Sequence, residues 1–203
     1  MVWAVVLAAG ESKRMGEPKA LLPFGGKTMI EEVLDRVTAS KVDGVLVVLG
    51  SNWEKIAARI KGYRVKVSLN PHYRKGMLSS VIWGFQALPD KAEAALFVLA
   101  DQPRIPAWVM NKVIAAYGSG PKGIVIPVYK GERGHPVLID RKYQGEVRTL
   151  DPGIGLRSLV YGHPEDVLEV KVRASAILRD IDSKVDYKRE TQRFFKPEDD
   201  VIK

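Results

Sequence analysis

The run Val2-Trp3-Ala4-Val5-Val6-Leu7-Ala8 leads directly into Ala9-Gly10-Glu11-Ser12-Lys13-Arg14-Met15-Gly16-Glu17-Pro18-Lys19, and this junction decides the fold class. The apolar run is short, partly β-branched and without a polar face, the pattern of a strand buried on both sides. Where it stops, the small residues Ala8, Ala9 and Gly10 let the backbone turn tightly and bring N–H groups near an anion. Lys13, Arg14 and Lys19 supply positive charge to the same loop.

Working outward, strands and helices alternate. Thr28 with Glu31 three positions later forms a capping box, followed by Ile30, Val33, Leu34 and Val37 at helical spacing. Val45 to Leu49 is a second buried run, Ser51 with Glu54 a second capping box leading into Ile56 and Ile60, and Val65 to Leu69 a third strand. A helix from about Leu78 to Leu88, a strand Ala94 to Leu99, a helix Pro106 to Tyr117 and a strand Gly123 to Tyr129 continue the rhythm. Beyond Val128 the pattern loosens into short strands at Pro136–Ile139 and Val167–Val172 and a terminal helix from Ser183. This order predicts an α/β protein with a mostly parallel sheet and helices on both faces, because parallel neighbours need crossover connections. Ligands of such a sheet gather outside the C-terminal ends of its strands, which singles out the loops Ala9–Lys27, Asn70–Ser80 and Asp101–Arg104.

Composition narrows the chemistry. The chain has 203 residues, 46% hydrophobic and 28% charged, which suits one domain, expected over residues 1–195, with residues 196–203 as a charged tail. The absence of cysteine excludes disulfides, thiolate metal sites and a cysteine nucleophile. A formal net charge of +8 favours a polyanionic partner, from nucleic acid to nucleotide, although a lysine-rich surface also serves solubility or heat adaptation. No apolar run has the length of a membrane span or the shape of a signal peptide, so the expectation is a soluble, unprocessed, cytoplasmic protein with no membrane partner.

The first loop is neither of the common phosphate-binding fingerprints. Gly26-Lys27-Thr28 imitates the end of a Walker A sequence, but Leu21 stands where its opening glycine belongs, and no G-x-G-x-x-G occurs. Asp101 follows a buried strand that Gln102-Pro103 ends at once, so its carboxylate sits at the crevice as a hard ligand for Mg²⁺, or else caps a turn. Asp180 and Asp182 alternate onto one side, where one or both complete a metal site; helix capping is the competing role for Asp182 and Ser183. His72, His163 and the tryptophans show no pattern distinct from packing or surface use.

Taken together, Leu7-Ala8-Ala9-Gly10-x-Ser12-x-Arg14-Met15-Gly16-x-x-Lys19-x-Leu21-Leu22 resembles the signature loop of nucleotidyltransferases that activate sugars, isoprenoid precursors and molybdenum cofactor. Asn70 with Gly76-Met77-x-Ser79-Ser80, Asp101-Gln102-Pro103, Gly134-His135-Pro136-Val137-Leu138 and Asp180-Ile181-Asp182 resemble the molybdenum cofactor cytidylyltransferase group. The resemblance implies a three-layer α/β/α, Rossmann-like fold and transfer of CMP from CTP to the terminal phosphate of a phosphorylated pterin, releasing pyrophosphate. It gives the backbone of Leu7, Ala8, Ala9 and Gly10, together with Arg14 and Lys19, to the triphosphate. Asp101 and Asp182 go to Mg²⁺, and Asn70, Gly76, Ser79 and Ser80 to the nucleotide. Gly134, His135 and Arg157 go to the acceptor, with Leu150-Asp151-Pro152-Gly153-Ile154-Gly155-Leu156-Arg157 departing from the family's Gly-Asp-x-Gly-x-Arg at its first glycine and in spacing.

In this scheme Arg14, Lys19 and Asp101 carry catalysis by positioning and neutralising charge, because the nucleophile belongs to the substrate. A guanylyltransferase, or a transferase for another phosphorylated small molecule, uses the same parts. A non-catalytic cofactor chaperone or insertion factor handing its cargo to a molybdenum hydroxylase is the reading from another class. A nucleic-acid partner is not expected, since no interleaved aromatic and basic motif or zinc pattern supports one.

Overall fold

The computed structural model describes residues 1–12 and 14–194. Lys13 of the first loop and the tail at 196–203, with the last residue of the expected domain, lie outside the described residues.

The opening run is strand β1 (Val2–Ala8), and after the loop a 3₁₀ turn at Lys19–Leu21 leads to a small hairpin, β2 (Pro23–Phe24) and β3 (Lys27–Thr28). Then follow α1 (Met29–Thr38), β4 (Gly44–Leu49), α2 (Trp53–Arg59), β5 (Lys66–Leu69), α3 (Met77–Ala87), β6 (Ala94–Leu99), α4 (Ala107–Gly118) and β7 (Ile124–Tyr129). The last third holds β8 (Glu132–Arg133), β9 (Val137–Asp140), α5 (Gln144–Val147), α6 (Leu156–Gly162), β10 (Val167–Lys171) and α7 (Lys184–Phe194). Among the described residues the main sheet has eight strands in the order β10-β7-β9-β6-β1-β4-β5, with β8 paired to β7. β1 lies parallel to both β4 and β6, and β9 runs antiparallel between β6 and β7. The sheet is mostly parallel, as the alternation predicts, and sits between helical layers in a three-layer α/β/α sandwich.

The alternation of side chains along β1 builds both interfaces. Val2, Ala4, Val6 and Ala8 face α1 and α4, meeting Ile30, Leu34, Val109 and Val113, while Trp3 and Val5 face α3, meeting Val81 and Phe85. Each large aliphatic side chain so buried contributes about 1.5–3 kcal/mol. Gly84 makes the second interface close, since a Cβ there would stand 2.6 Å from Val5 Cγ1. A third, small cluster of Met15, Leu22, Phe24, Met29 and Ile181 joins the first loop to α7 through Tyr187 and Phe194.

Two local expectations meet different outcomes. At α1 the Glu31 carboxylate accepts from the Thr28 backbone N–H at 2.8 Å and from its hydroxyl at 2.6 Å, so that box forms. At α2 it does not: Asn52 takes φ +55° and starts the helix at Trp53, and Ser51 Oγ accepts instead from Asn52 Nδ2 at 2.9 Å. The shift places Glu54 one position too early to reach back.

Candidate active site

The order β5-β4-β1-β6 contains the reversal that opens a crevice: the chain moves from β1 outward to β4 and β5, then returns to β6 on the other side of β1. A cleft of about 320 Å³ lies outside the C-terminal ends of β1 and β6, within the usual range of roughly 300–1,000 Å³ for small-molecule sites. Its walls bring together Leu7, Ala8, Ala9, Gly10, Arg14, Lys19, Gly76, Ser80, Asp101 and Asp182, drawn from four separate stretches of sequence.

Lys19 is the centre of this arrangement. Its Nζ donates to Asp101 Oδ2 at 2.9 Å and to Asp182 Oδ1 at 2.8 Å, and Arg14 Nη2 stands 3.0 Å from Asp182 Oδ2. The 3₁₀ turn presents Lys19, and the loop before it closes where the Lys19 backbone N–H donates to Ser12 Oγ at 2.9 Å, Ser12 itself at φ +54°. Burial pulls the Lys19 ammonium down, but the Asp101 and Asp182 charges outweigh it and hold the group above its ordinary value. The hydrogen bond from Lys19, with Arg14 beyond, holds the Asp182 carboxyl below the usual carboxylate range.

Asp182 is free for this role because its neighbour caps the helix. Ser183 donates its N–H and hydroxyl to Asp186 Oδ2 at 2.9 and 2.6 Å, and its Oγ accepts from the Asp186 N–H at 3.2 Å. Ile181 is fully buried in the small cluster, and its N–H donates to the Asp101 carbonyl at 3.0 Å, fixing Asp182 opposite Asp101. Asp180 accepts from Gln102 Nε2 at 2.5 Å; desolvation first, then the Asp101 charge, push its carboxyl up. Asp101 caps no turn in this arrangement: its carboxylate faces Lys19.

The loop after β5 divides its residues differently from expectation. Asn70 is fully buried and its Nδ2 donates to Ser79 Oγ at 3.1 Å and Ser80 Oγ at 3.0 Å, while its Oδ1 accepts from the His72 N–H at 2.8 Å. Ser79 Oγ turns to the carbonyls of His72 and Gly76 at 2.9 and 2.8 Å. Asn70 and Ser79 therefore shape the loop from behind, and of these four residues Gly76, at φ +93°, and Ser80 reach the cleft. Beside them Tyr73, Arg74 and Met77 line the wall, as do Glu11 and Ser12 across from them. The signal for Tyr73 and Arg74 was an aromatic beside a cation in a crevice loop; Arg74 lies over the Tyr73 ring at 5.6 Å.

Gly134, His135 and Arg157 do not line the cleft. Gly134 is buried where a Cβ would stand 2.3 Å from the Ile177 carbonyl oxygen, so close backbone packing requires glycine there. Desolvation pulls the His135 imidazole below its usual value; the Asp101 charge opposes that shift and the Arg157 charge adds to it. Arg157 is exposed in the first turn of α6.

A family model described as MobA-like NTP transferase domain matches residues 4–167. The chain belongs to the MobA-like NTP transferase family. Its fold is that of a nucleotidyltransferase. This MobA-like chain is 32% identical over 147 residues to a nicotine blue oxidoreductase of Paenarthrobacter nicotinovorans, covering 68% of this chain and 71% of that protein. It is 23% identical over 192 residues to a molybdenum cofactor cytidylyltransferase of Escherichia coli, covering 94% and 95%. Rv0371c of Mycobacterium tuberculosis shares its fold with a TM-score of 0.84 at 26% identity, covering 94% and 97%, and a manganese complex of that protein is known.

The donor set of the MobA-like site suits a hard divalent cation. Two carboxylates already converge on one positive charge, the Lys19 ammonium. Among the described residues no three His, Cys, Asp or Glu side chains are grouped to hold a metal alone. Mg²⁺ fits such a pair, because it is commonly held by one or two carboxylates with the remaining ligands from phosphates and water.

Proposed function

We propose that this MobA-like protein transfers a cytidylyl group from CTP to the terminal phosphate of a molybdopterin-type acceptor, with Mg²⁺ held by Asp101 and Asp182. The observation carrying this reading is the Lys19 bridge between those carboxylates at the mouth of β1 and β6. A substrate triphosphate brings negative charge to a loop containing Arg14 and Lys19, and the turn at Ala8–Gly10 offers backbone N–H groups to the same oxygens. Lys19 then exchanges its carboxylate partners for phosphate oxygens and leaves Asp101 and Asp182 to the divalent ion. The ion, when bound, acts as a Lewis acid that neutralises phosphate charge.

The acceptor phosphate oxygen attacks the α-phosphorus and pyrophosphate departs with the bond to that phosphorus. The protein supplies no nucleophile; Arg14 and Lys19 stabilise the growing charge, and a preorganised donor of this kind contributes about 10²–10³ in rate. His135 and Arg157, outside the cleft wall, take the acceptor side. The choice of cytidine is supported by the Gly76-Met77-x-Ser79-Ser80 sequence and by the cytidylyltransferase relative that aligns along nearly the whole chain.

The test is a pyrophosphate-release panel of four nucleoside triphosphates against phosphorylated pterin, with and without Mg²⁺ or Mn²⁺. Release with CTP, acceptor and metal together is expected; release with GTP reassigns the base, and none with any triphosphate removes the molybdopterin assignment. The oxidoreductase relative motivates a separate arm with nicotine blue and no triphosphate. Tight cofactor binding that persists in Asp101→Ala without metal favours an insertion factor.

A further inference from the structure

Glu190 on α7 is 1% exposed, and nothing in the proposed reaction uses it. Its Oε2 faces Arg104 Nη1 at 3.3 Å and Arg179 Nη1 at 3.7 Å; its Oε1 faces Arg189 Nε and Arg193 Nη1, each at 3.3 Å. Arg189 and Arg193 belong to its own helix. The other two come from the segments that carry the site's carboxylates: Arg104 follows Asp101 by three positions and Arg179 precedes Asp182 by three.

These segments are already in contact through Ile181 N–H to the Asp101 carbonyl and Gln102 to Asp180. The same face of the helix is held to the loop that carries Lys19, where Tyr187 and Phe194, three before and four after Glu190, pack against the Met15, Leu22 and Phe24 cluster. We propose that Glu190 is a positioning residue whose carboxylate gathers Arg104 and Arg179 and thereby sets the separation of Asp101 and Asp182 across Lys19.

The charge balance gives the reason. With Glu190 present, each guanidinium has a buried anion to face. Without it, Arg104 and Arg179 lose the one buried carboxylate they face in common, and with it the attraction that draws the two acid-bearing segments toward one point. Arg179, Asp182 and Glu190 all lie beyond the stretch matched by the family model, which ends at residue 167.

The inference rests on the reading that Asp101 and Asp182 hold a divalent ion, and its test separates the two. Mn²⁺ alone is titrated into wild type, Glu190→Gln, Arg179→Gln and Asp101→Asn, following the free-ion EPR signal, with circular dichroism and thermal melts establishing that each is folded. Glu190→Gln and Arg179→Gln are expected to bind Mn²⁺ about 10–100-fold more weakly, the usual effect of losing an outer support of a metal site. Wild-type affinity in either variant while folded overturns the proposal; should Glu190→Gln fail to fold, Arg179→Gln decides, since it leaves Glu190 charged and paired.

If wild type binds Mn²⁺ no better than Asp101→Asn, the metal reading fails instead. Crystal structures of the two support variants then decide the positioning role without metal. Lys19 Nζ is expected to reach only one of the two carboxylates, and retention of both contacts overturns it.

Discussion

At the scale of single residues, Lys19 does two opposing things. Placed between Asp101 and Asp182, it neutralises both carboxylates, and on the proposed function it competes for them with a divalent ion. Lys19→Met is therefore expected to bind Mn²⁺ alone more tightly than wild type while losing turnover by about 10²–10³; a weaker Mn²⁺ constant by EPR would contradict competition for the site. Asp101→Ala is expected to lose turnover to a similar degree and keep its circular dichroism, being at the rim of a crevice. The ion pairs also fix a pH window. The Asp182 carboxyl, lowered in the fold, stabilises above its unfolded value and loses that contribution as pH falls through the folded one. The raised Lys19 contributes below its unfolded value and loses its contribution as pH rises through the folded one. Melts of wild type against Lys19→Met should diverge across the neutral range and converge toward both extremes.

At the scale of elements, backbone contacts decide what side-chain patterns cannot. Gly134 and His135 join β9 to the turn at Ser175–Leu178, the His135 N–H donating to the Ile177 carbonyl at 3.0 Å. Gly134→Ala is expected to lower stability by about 1–3 kcal/mol through overpacking, measured by urea unfolding, with a larger loss if the Ile177 backbone cannot yield. His163, at the end of α6, meets Glu146 of α5 at 2.9 Å, and that hydrogen bond holds its imidazole above the usual value. Its contribution is present below the unfolded value and lost as pH rises, so His163→Gln should lose melting temperature at pH 6 and little at pH 8. Such elements also mark how far the sequence was legible. β1, β4 and β6 follow from continuous apolar runs, and the α1 cap from Thr28 and Glu31. The same logic fails at Ser51 because Asn52 adopts a left-handed conformation, a choice set by tertiary fit. Asn70 was legible as a residue of the site loop, but its full burial depends on two serines that meet it only after α3 folds back.

At the scale of the whole molecule, the site is closed by the return of the chain. Lys19 comes from the loop after β1, Asp101 from the end of β6, and Asp182 arrives only after β10 has been laid at the far edge of the sheet. Motif reading singled out Lys19, Asp101 and Asp182, which the fold brings to one cleft, since crevice loops are specified locally by strand ends. It could not see the clamp, because Arg104, Arg179 and Glu190 look like ordinary surface charges until α7 packs down. The two large cores consist of residues no later than Ile177, with Leu178 packed at their edge, whereas Ile181, Tyr187 and Phe194 serve only the small cluster over the first loop. A chain ending at Leu178 is therefore expected to keep the sheet and its two helical layers. Losing the burial of Ile181 and its neighbours, each worth about 1.5–3 kcal/mol, lowers its melting temperature without abolishing cooperative unfolding. The same truncation removes Asp182 and Glu190, leaves Lys19 paired with Asp101 alone, and should eliminate pyrophosphate release. Far-UV circular dichroism, a thermal melt and the release assay on one preparation check this separation: wild-type turnover in the shortened chain would show that the site is complete without α7, and loss of cooperative melting would show that α7 belongs to the core.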